Sequence, residues 1–441
     1  MAIAVVACGD ASRGGGVTIP PEGPLARKAA AYDRNYVDFH MPFLGGSLKT
    51  RFACETCTDD VVAYESAGDS AIWSGNYLAS QAFRYAVTRS PEALANVRRV
   101  MGFMDVLARV TGRTGFLARY AGPADDPRVF PANCATDENC HVVAGGEFDG
   151  LFWLGNTSRD QYSGWFFGLG WVHALVDDPD LNALIRARIV EVVDRLVADD
   201  YTIVDVDGRP TTAGPEALPP FALNWLLIRA LITEEPGDLA FYEAEAERLA
   251  PLFPLTTLSI LNHFIEYYGF HLSFMNLWTL ARNEADADRR AFYRESFDRN
   301  VWGEVARDRQ AMFDLIALDV LDVEDPDALA AQVRADLLDF QEPPRRRISR
   351  SREGLVFEID PRWEALRDFV ALFDPDYARK FQPIATEPFP VAYRCHQGFM
   401  WQQNPYLTEC APDDPAYEYA PMDFLVAYWM ARWMGVLGEE D

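Results

Sequence analysis

The chain has 441 residues, 49% of them hydrophobic and 13% aromatic, a composition that excludes intrinsic disorder and supplies a large core. Its formal net charge of −27 excludes DNA and RNA as partners, because phosphate binding needs a basic stripe, and it equally opposes docking on anionic lipid. No apolar run approaches the ~20 residues of a membrane-spanning helix.

At the start of the chain, Val5-Val6-Ala7-Cys8-Gly9 resembles a bacterial lipobox, whose cysteine is lipidated after signal cleavage. Residues 9–24 contain Gly, Pro and Ser and suit a flexible tether behind such an anchor. The segment lacks a basic region, which a start codon assigned too late explains; a buried or frayed cysteine is the plain alternative. The lipobox implies an exported protein, in the periplasm or on the outer membrane, touching the membrane only through lipid at Cys8. Residues 25–441 are expected to form one domain.

Within that domain, apolar residues recur at i, i+3, i+4 and i+7 and predict helices over 69–87 and 91–111, separated by Arg89-Ser90-Pro91. The plan repeats over 159–176 and 180–198, separated by Asp177-Asp178-Pro179; Pro after Ser or Asp is an ordinary helix start. Short strands are expected over 201–213, around a turn at Asp205-Val206-Asp207-Gly208 that lacks the full ligand run of a calcium loop, and over 354–359. Further helices are expected over 216–234, 238–250, 256–283, 286–299, 301–321, 326–341, 361–372 and 421–437. A long insertion spans about 343–417. It opens with the Arg-rich segment 343–352, read as a solvated loop around Arg345-Arg346-Arg347, and continues through 373–417, which is too long for a plain connection.

Six of the seven cysteines lie outside these helices, as Cys54 with Cys57, Cys134 with Cys140, and Cys395 with Cys410. Local pairs in Asp-, Thr-, Asn- and Pro-rich segments point to three disulfides in an oxidising compartment. Zinc is the rival for the C-x-x-C pair, but no second C-x-x-C or H-x₃-H follows, and no βαβ pattern supports a redox role. No metal site and no cofactor are expected.

Paired helices differ in kind. The first of each pair is aromatic and apolar nearly all round, with Trp73, Tyr77 and Phe83, then Tyr162, Trp165 and Trp171. The second is amphipathic, with Arg98, Asp105 and Arg109, then Arg186, Glu191 and Arg195. A helix apolar all round must be covered on every side, whereas an amphipathic one faces water. The expected fold is therefore all-α, an (α/α) toroid of about five to six helical hairpins with a few short strands in loops. A superhelical repeat array would show a sharper fixed period.

Polar residues recur at the starts of the aromatic helices: Asp69 before Trp73 and Tyr77; Arg159, Asp160 and Tyr162 before Trp165; Asn224 beside Trp225; His271 and Asn276; Arg307-Asp308-Arg309; Glu418 and Asp423. In a toroid these ends converge on one funnel, to which the loop between Cys395 and Cys410 adds His396 and Trp401. The stretches Asp69–Tyr85 and Ser158–Gly170, with the turn at Asp205–Thr212, resemble the six-hairpin (α/α) toroid glycosidases and polysaccharide lyases over roughly residues 60–300 and 418–437. The His-Asp pair of unsaturated glucuronyl hydrolases and the Asn-Asn-His-x-Tyr run of one alginate lyase group are absent, so no catalytic role transfers residue by residue.

The resemblance implies a carbohydrate substrate and one of two chemistries. Hydrolysis needs two carboxylates across the cleft, from Asp69, Asp160, Glu147, Asp149 and Asp423. Elimination needs a base, an acid and a group that neutralises a uronate, from Tyr162, His271, Asn276, Arg159 and His396. Trp73, Tyr77, Trp165, Trp225 and Trp401 would stack on sugar rings. Each residue also has a plain role: Asp69 and Ser158 as helix N-caps, His271 and the tryptophans as core. The expected function is a carbohydrate-active envelope enzyme, hydrolysis ahead of β-elimination. A glycan-binding lipoprotein and a structural protein whose funnel is plugged by 373–417 are the alternatives.

Overall fold

The computed structural model describes residues 23–255, 264, 267–396 and 403–441. Cys8, the tether up to residue 22, Trp401 and most of the leading part of the 256–283 segment lie outside the described residues.

The protein is mainly helical, 54% helix against 9% strand. In chain order the helices are α1 (Pro24–Phe39), α2 (Ser70–Thr88), α3 (Pro91–Arg109), α4 (Arg159–Leu175), α5 (Pro179–Ala198), α6 (Pro219–Thr233), α7 (Pro236–Leu249), α8 (Tyr268–Asn283), α9 (Ala287–Phe297), the short α10 (Gly303–Val305), α11 (Ala311–Val320), α12 (Pro326–Asp339), α13 (Arg362–Ala371), α14 (Pro375–Ala378) and α15 (Met422–Trp433). Strands β1 (Lys49–Phe52), β2 (Val61–Glu65), β3 (Tyr120–Pro123), β4 (Cys140–Val142), β5 (Leu151–Leu154), β6 (Arg346–Arg347) and β7 (Asp414–Glu418) form two antiparallel sheets, ordered β2-β1-β7-β6 and β3-β5-β4.

Local chemistry sets the helix starts. Ser90 Oγ accepts from the Ala93 amide at the start of α3, and Asp178 and Asp325 do the same for α5 and α12, each with Pro in the first turn. Helices α3, α5, α7, α9 and α12 bury one stripe, whereas α2, α4, α6, α8 and α15 are buried along most of their length. Helix α2 packs on α4, α4 on α6, α6 on α8, α8 on α11, α11 on α15, and α15 on α2. Each of these also packs on the amphipathic helix next to it in sequence, except α15, which takes α1.

The α2–α4 crossing has a cause in the sequence. A Cβ on Gly75 of α2 would collide with the carbonyl of Gly164 of α4, one on Gly164 with the backbone of Ile72, and one on Gly168 would stand 2.8 Å from the Gly75 oxygen. The two helices touch backbone to backbone because these three positions carry no side chain.

All three cysteine pairs are disulfides. Cys395–Cys410 spans 15 residues, the longest loop of the three. Loop-closure entropy gives it about 3 kcal/mol of stabilisation against about 1–2 kcal/mol for Cys54–Cys57. Cys395→Ser with Cys410→Ser is expected to lower the urea midpoint about twice as far as the Cys54/Cys57 double serine variant; equal shifts would contradict this.

Several expectations require correction. The segment 301–321 is not one helix: a π-turn at Asp298–Trp302 leads into α10, and the chain breaks at Asp308–Gln310, where Arg309 has φ of 55°. The 201–213 segment makes the expected turn, with the Gly208 amide donating to the Asp205 carbonyl, but only single bridges flank it, and 354–359 holds one bridge at Ile359. Helix α1 and most strands were not expected. The Arg345–Arg347 run is not a solvated loop: Arg345 and Arg346 are 2% and 6% exposed, paired with Asp423 and Glu418, because the chain carries both guanidinium groups under β7 and the start of α15.

Candidate functional site

Two carboxylates at the leading ends of α2 and α4 lie within electrostatic reach of each other and of one arginine, Arg119. Asp69 stands at the N-cap position of α2 yet makes no side-chain cap, and neither does Ser158 on α4, so the plain capping role is not the one they play. Asp69 Oδ1 instead accepts from Gln161 Nε2 at 3.3 Å, while Gln161 Oε1 takes the Ile72 amide at 3.0 Å. Gln161 thus ties the two helix starts together. Arg119, arriving just before β3, donates to the carbonyls of Asn156 (2.8 Å) and Gly68 (3.0 Å), the turns that precede α4 and α2. Its charge faces both Asp69 and Asp160.

The electrostatics separate this pair from ordinary surface carboxylates. Burial raises the Asp160 carboxyl to about 6, the negative Asp69 adds to the rise, and Arg159 and Arg119 oppose it. A first-turn position would favour the ionised form by about 0.3–1 kcal/mol, so desolvation is the larger effect here. Burial raises Asp69 too, against the pull of Arg119 and the Gln161 hydrogen bond. Both residues remain partly exposed, and Arg159, 4.0 Å from Glu216, adds a positive charge near Asp160. The arrangement can hold a proton on one carboxyl and a charge on the other, next to a fixed cation.

The other candidates fall elsewhere. Tyr162 is 1% exposed, its hydroxyl accepting from the Leu117 amide. His271 is fully buried, stacked on Trp73 at 5.6 Å, with Nε2 3.3 Å from Asn76 Oδ1, and burial holds its pKa well below the usual imidazole range. Asn276 accepts from Asn224 (2.9 Å) and donates to Ser163 (3.0 Å) in the same interior. Tyr77 stacks on Tyr36, Trp225 on Phe166, and Trp165 donates outward to the Met104 carbonyl. These side chains fill the space between helices. Asp423 is locked to Arg345, and burial pushes His396 beside them down to about 4. Glu147, paired with Arg109, and Asp149 belong to the exposed loop between β4 and β5.

Sequence reasoning missed Arg119, which no motif marks because it reaches the site from a loop between elements. A second buried cluster surrounds Asp308, which is 0% exposed and accepts from Tyr406 at 2.5 Å, while Arg394 donates to its carbonyl at 2.6 Å. Burial raises the Asp308 carboxyl to about 7.

A pH dependence follows. Because the folded pKa of Asp308 lies above its unfolded value near 4, its contribution is complete below that value and is lost as pH rises through about 7. The buried histidines act oppositely, since their depressed values make stability fall on acidification below about 6.5. From pH 6.5 to 8 Asp308 lowers stability by about 0.8 kcal/mol, while the two depressed histidines raise it by about the same amount, so the parent–variant difference isolates Asp308. Urea unfolding checks this: the stability of Asp308→Asn relative to the parent should rise by about 0.8 kcal/mol over that interval, and a difference that does not change with pH would contradict it.

No protein-family model matches this chain, and no curated protein matches it.

Proposed function

We propose that the chain is an exported (α/α) toroid acting on an oligo- or polysaccharide as a glycoside hydrolase, with Asp160 as the acid and Asp69 as its partner carboxylate. The observation that carries this reading is that Asp69, at a helix N-cap position, does not cap but faces Arg119 and Gln161 beside an Asp160 whose proton is held to about pH 6. A hydrolase needs one carboxyl protonated and the other ionised, and environments that differ supply that asymmetry. The succession of contacts from α2 through α4, α6, α8, α11 and α15 back to α2 supports a closed ring of aromatic helices inside amphipathic ones. Three disulfides support an oxidising compartment, where a lipid on Cys8 would tether the protein. Among the described residues no helix is long and apolar enough to cross a membrane.

One observation favours a second reading. Trp73, Tyr77, His271 and Asn276 are buried between helices, and Tyr406 and Arg394 from the 373–417 segment close over Asp308. A structural envelope protein with a filled centre would look the same there. Incubating the folded protein with a glycan panel separates the readings. Release of reducing ends supports hydrolysis, unsaturated uronates would replace it with β-elimination, and neither product would leave the structural role.

A further inference from the structure

Toward the other end of α4, about 10–22 Å from Asp160 along the helix axis, the C-terminal turns of α4, α6, α8, α11 and α15 surround a cavity of about 480 Å³. That volume lies within the ~300–1,000 Å³ of small-molecule sites. Its wall is aromatic and aliphatic, with Trp171, Trp433, Phe167 and Ile228. Trp171 and Trp433 lie edge to face at 5.2 Å, and the Arg282 guanidinium sits 5.0 Å over the Trp433 ring. Asp319 is held by Arg282 and by Trp278 Nε1 at 2.6 Å, so this fixed pair brings no net charge. Three more polar side chains line the cavity: His173, Thr279 and Asn283. Among the described residues none of the three has a side-chain hydrogen-bond partner.

The charges select the occupant. Five helix C-termini present the negative end of their dipoles and disfavour an anion. Arg282 is already neutralised by Asp319 and, among the described residues, no other charged side chain lines the cavity, so a cation finds no unpaired counter-charge there. What remains is an uncharged ligand with one apolar face for the tryptophans and several hydroxyl or amide groups for Asn283, Thr279 and His173. The geometry points to a site for a neutral saccharide unit in this cavity, separate from Asp69 and Asp160. It is a binding site, with no carboxyl pair to act on the ring.

The site is independent of the hydrolase reading, and its test is binding. Maltotriose, cellotriose and chitotriose are titrated into the full chain and followed by tryptophan fluorescence and saturation-transfer NMR. At least one is expected to bind in the millimolar range or tighter. Asn283→Ala and Thr279→Ala, half-exposed and unpaired so that the fold survives, should each weaken binding at least fivefold. The Asp69→Asn/Asp160→Asn variant should bind as the parent does. No binding by any of the three sugars, undiminished binding by the Asn283 and Thr279 variants, or loss of binding in the Asp69/Asp160 variant would each overturn the site.

Discussion

Asp160→Asn is expected to lower turnover on the cleaved glycan by ~10²–10⁴-fold with little change in KM, because asparagine keeps the shape and loses the proton. The same substitution should leave the fold intact. The native environment already favours a neutral carboxyl, holding it to about 6, so a neutral amide fits there and should modestly stabilise the protein at pH 8. Loss of activity with gain of stability is a combination that a merely structural residue would not produce. In the parent protein the rate should fall as pH rises through about 6, the value at which the acid is lost. Asp69→Asn should cost a similar factor and also lower the Asp160 pKa, since the Asp69 charge helps to raise it. An Asp160→Asn variant with parental turnover would remove the acid role.

The second large effect is on folding. Gly164→Ala adds one methyl group that meets the Cα of Ile72 and stands 2.6 Å from its carbonyl oxygen, both backbone atoms of α2. Backbone cannot rotate aside as a side chain can, so α2 and α4 must separate at this crossing. Overpacking of this kind typically costs 1–3 kcal/mol and more when backbone must move; about 3 kcal/mol or more is expected. Alanine's better helix propensity returns only about 0.5–1 kcal/mol. Gly102 on α3 is the control, because a Cβ there has nothing within 4 Å, and Gly102→Ala should raise stability by that smaller amount. Urea midpoints decide it: opposite shifts are expected, and a Gly164→Ala variant as stable as the parent would refute the backbone contact.

The helices were legible where period and punctuation agreed. Asp178-Pro179 and Ser90-Pro91 start α5 and α3 where expected. Helix α1 carried the same period at Leu25, Ala29, Tyr32 and Tyr36, but its buried polar residues masked it. Lys28 donates to the carbonyls of Leu338 and Phe340, and Asn35 to Glu418, partners more than 300 residues away that no local pattern reveals. Arg345 and Arg346 failed for the same reason, since long-range ion pairs turn a run that looks solvated into buried polar structure. Strands of two to five residues carry too little alternation to be read. Asp69 and Asp160 stand at helix starts, where the sequence repeats its polar groups, while Trp73 and His271, expected to line a cleft, are buried between helices. A helix apolar on every face does not say which face, if any, meets a ligand; the glycines that let α2 and α4 close up decide that.

Carbon-13 NMR titration of the Asp160 side-chain carboxyl is the most direct check on the proton-holding pair. A midpoint near 6 is expected, moving lower in Asp69→Asn. A midpoint at the ordinary aspartate value of about 3.9, unchanged by that substitution, would show two independent surface carboxylates and would remove the chemistry proposed for them.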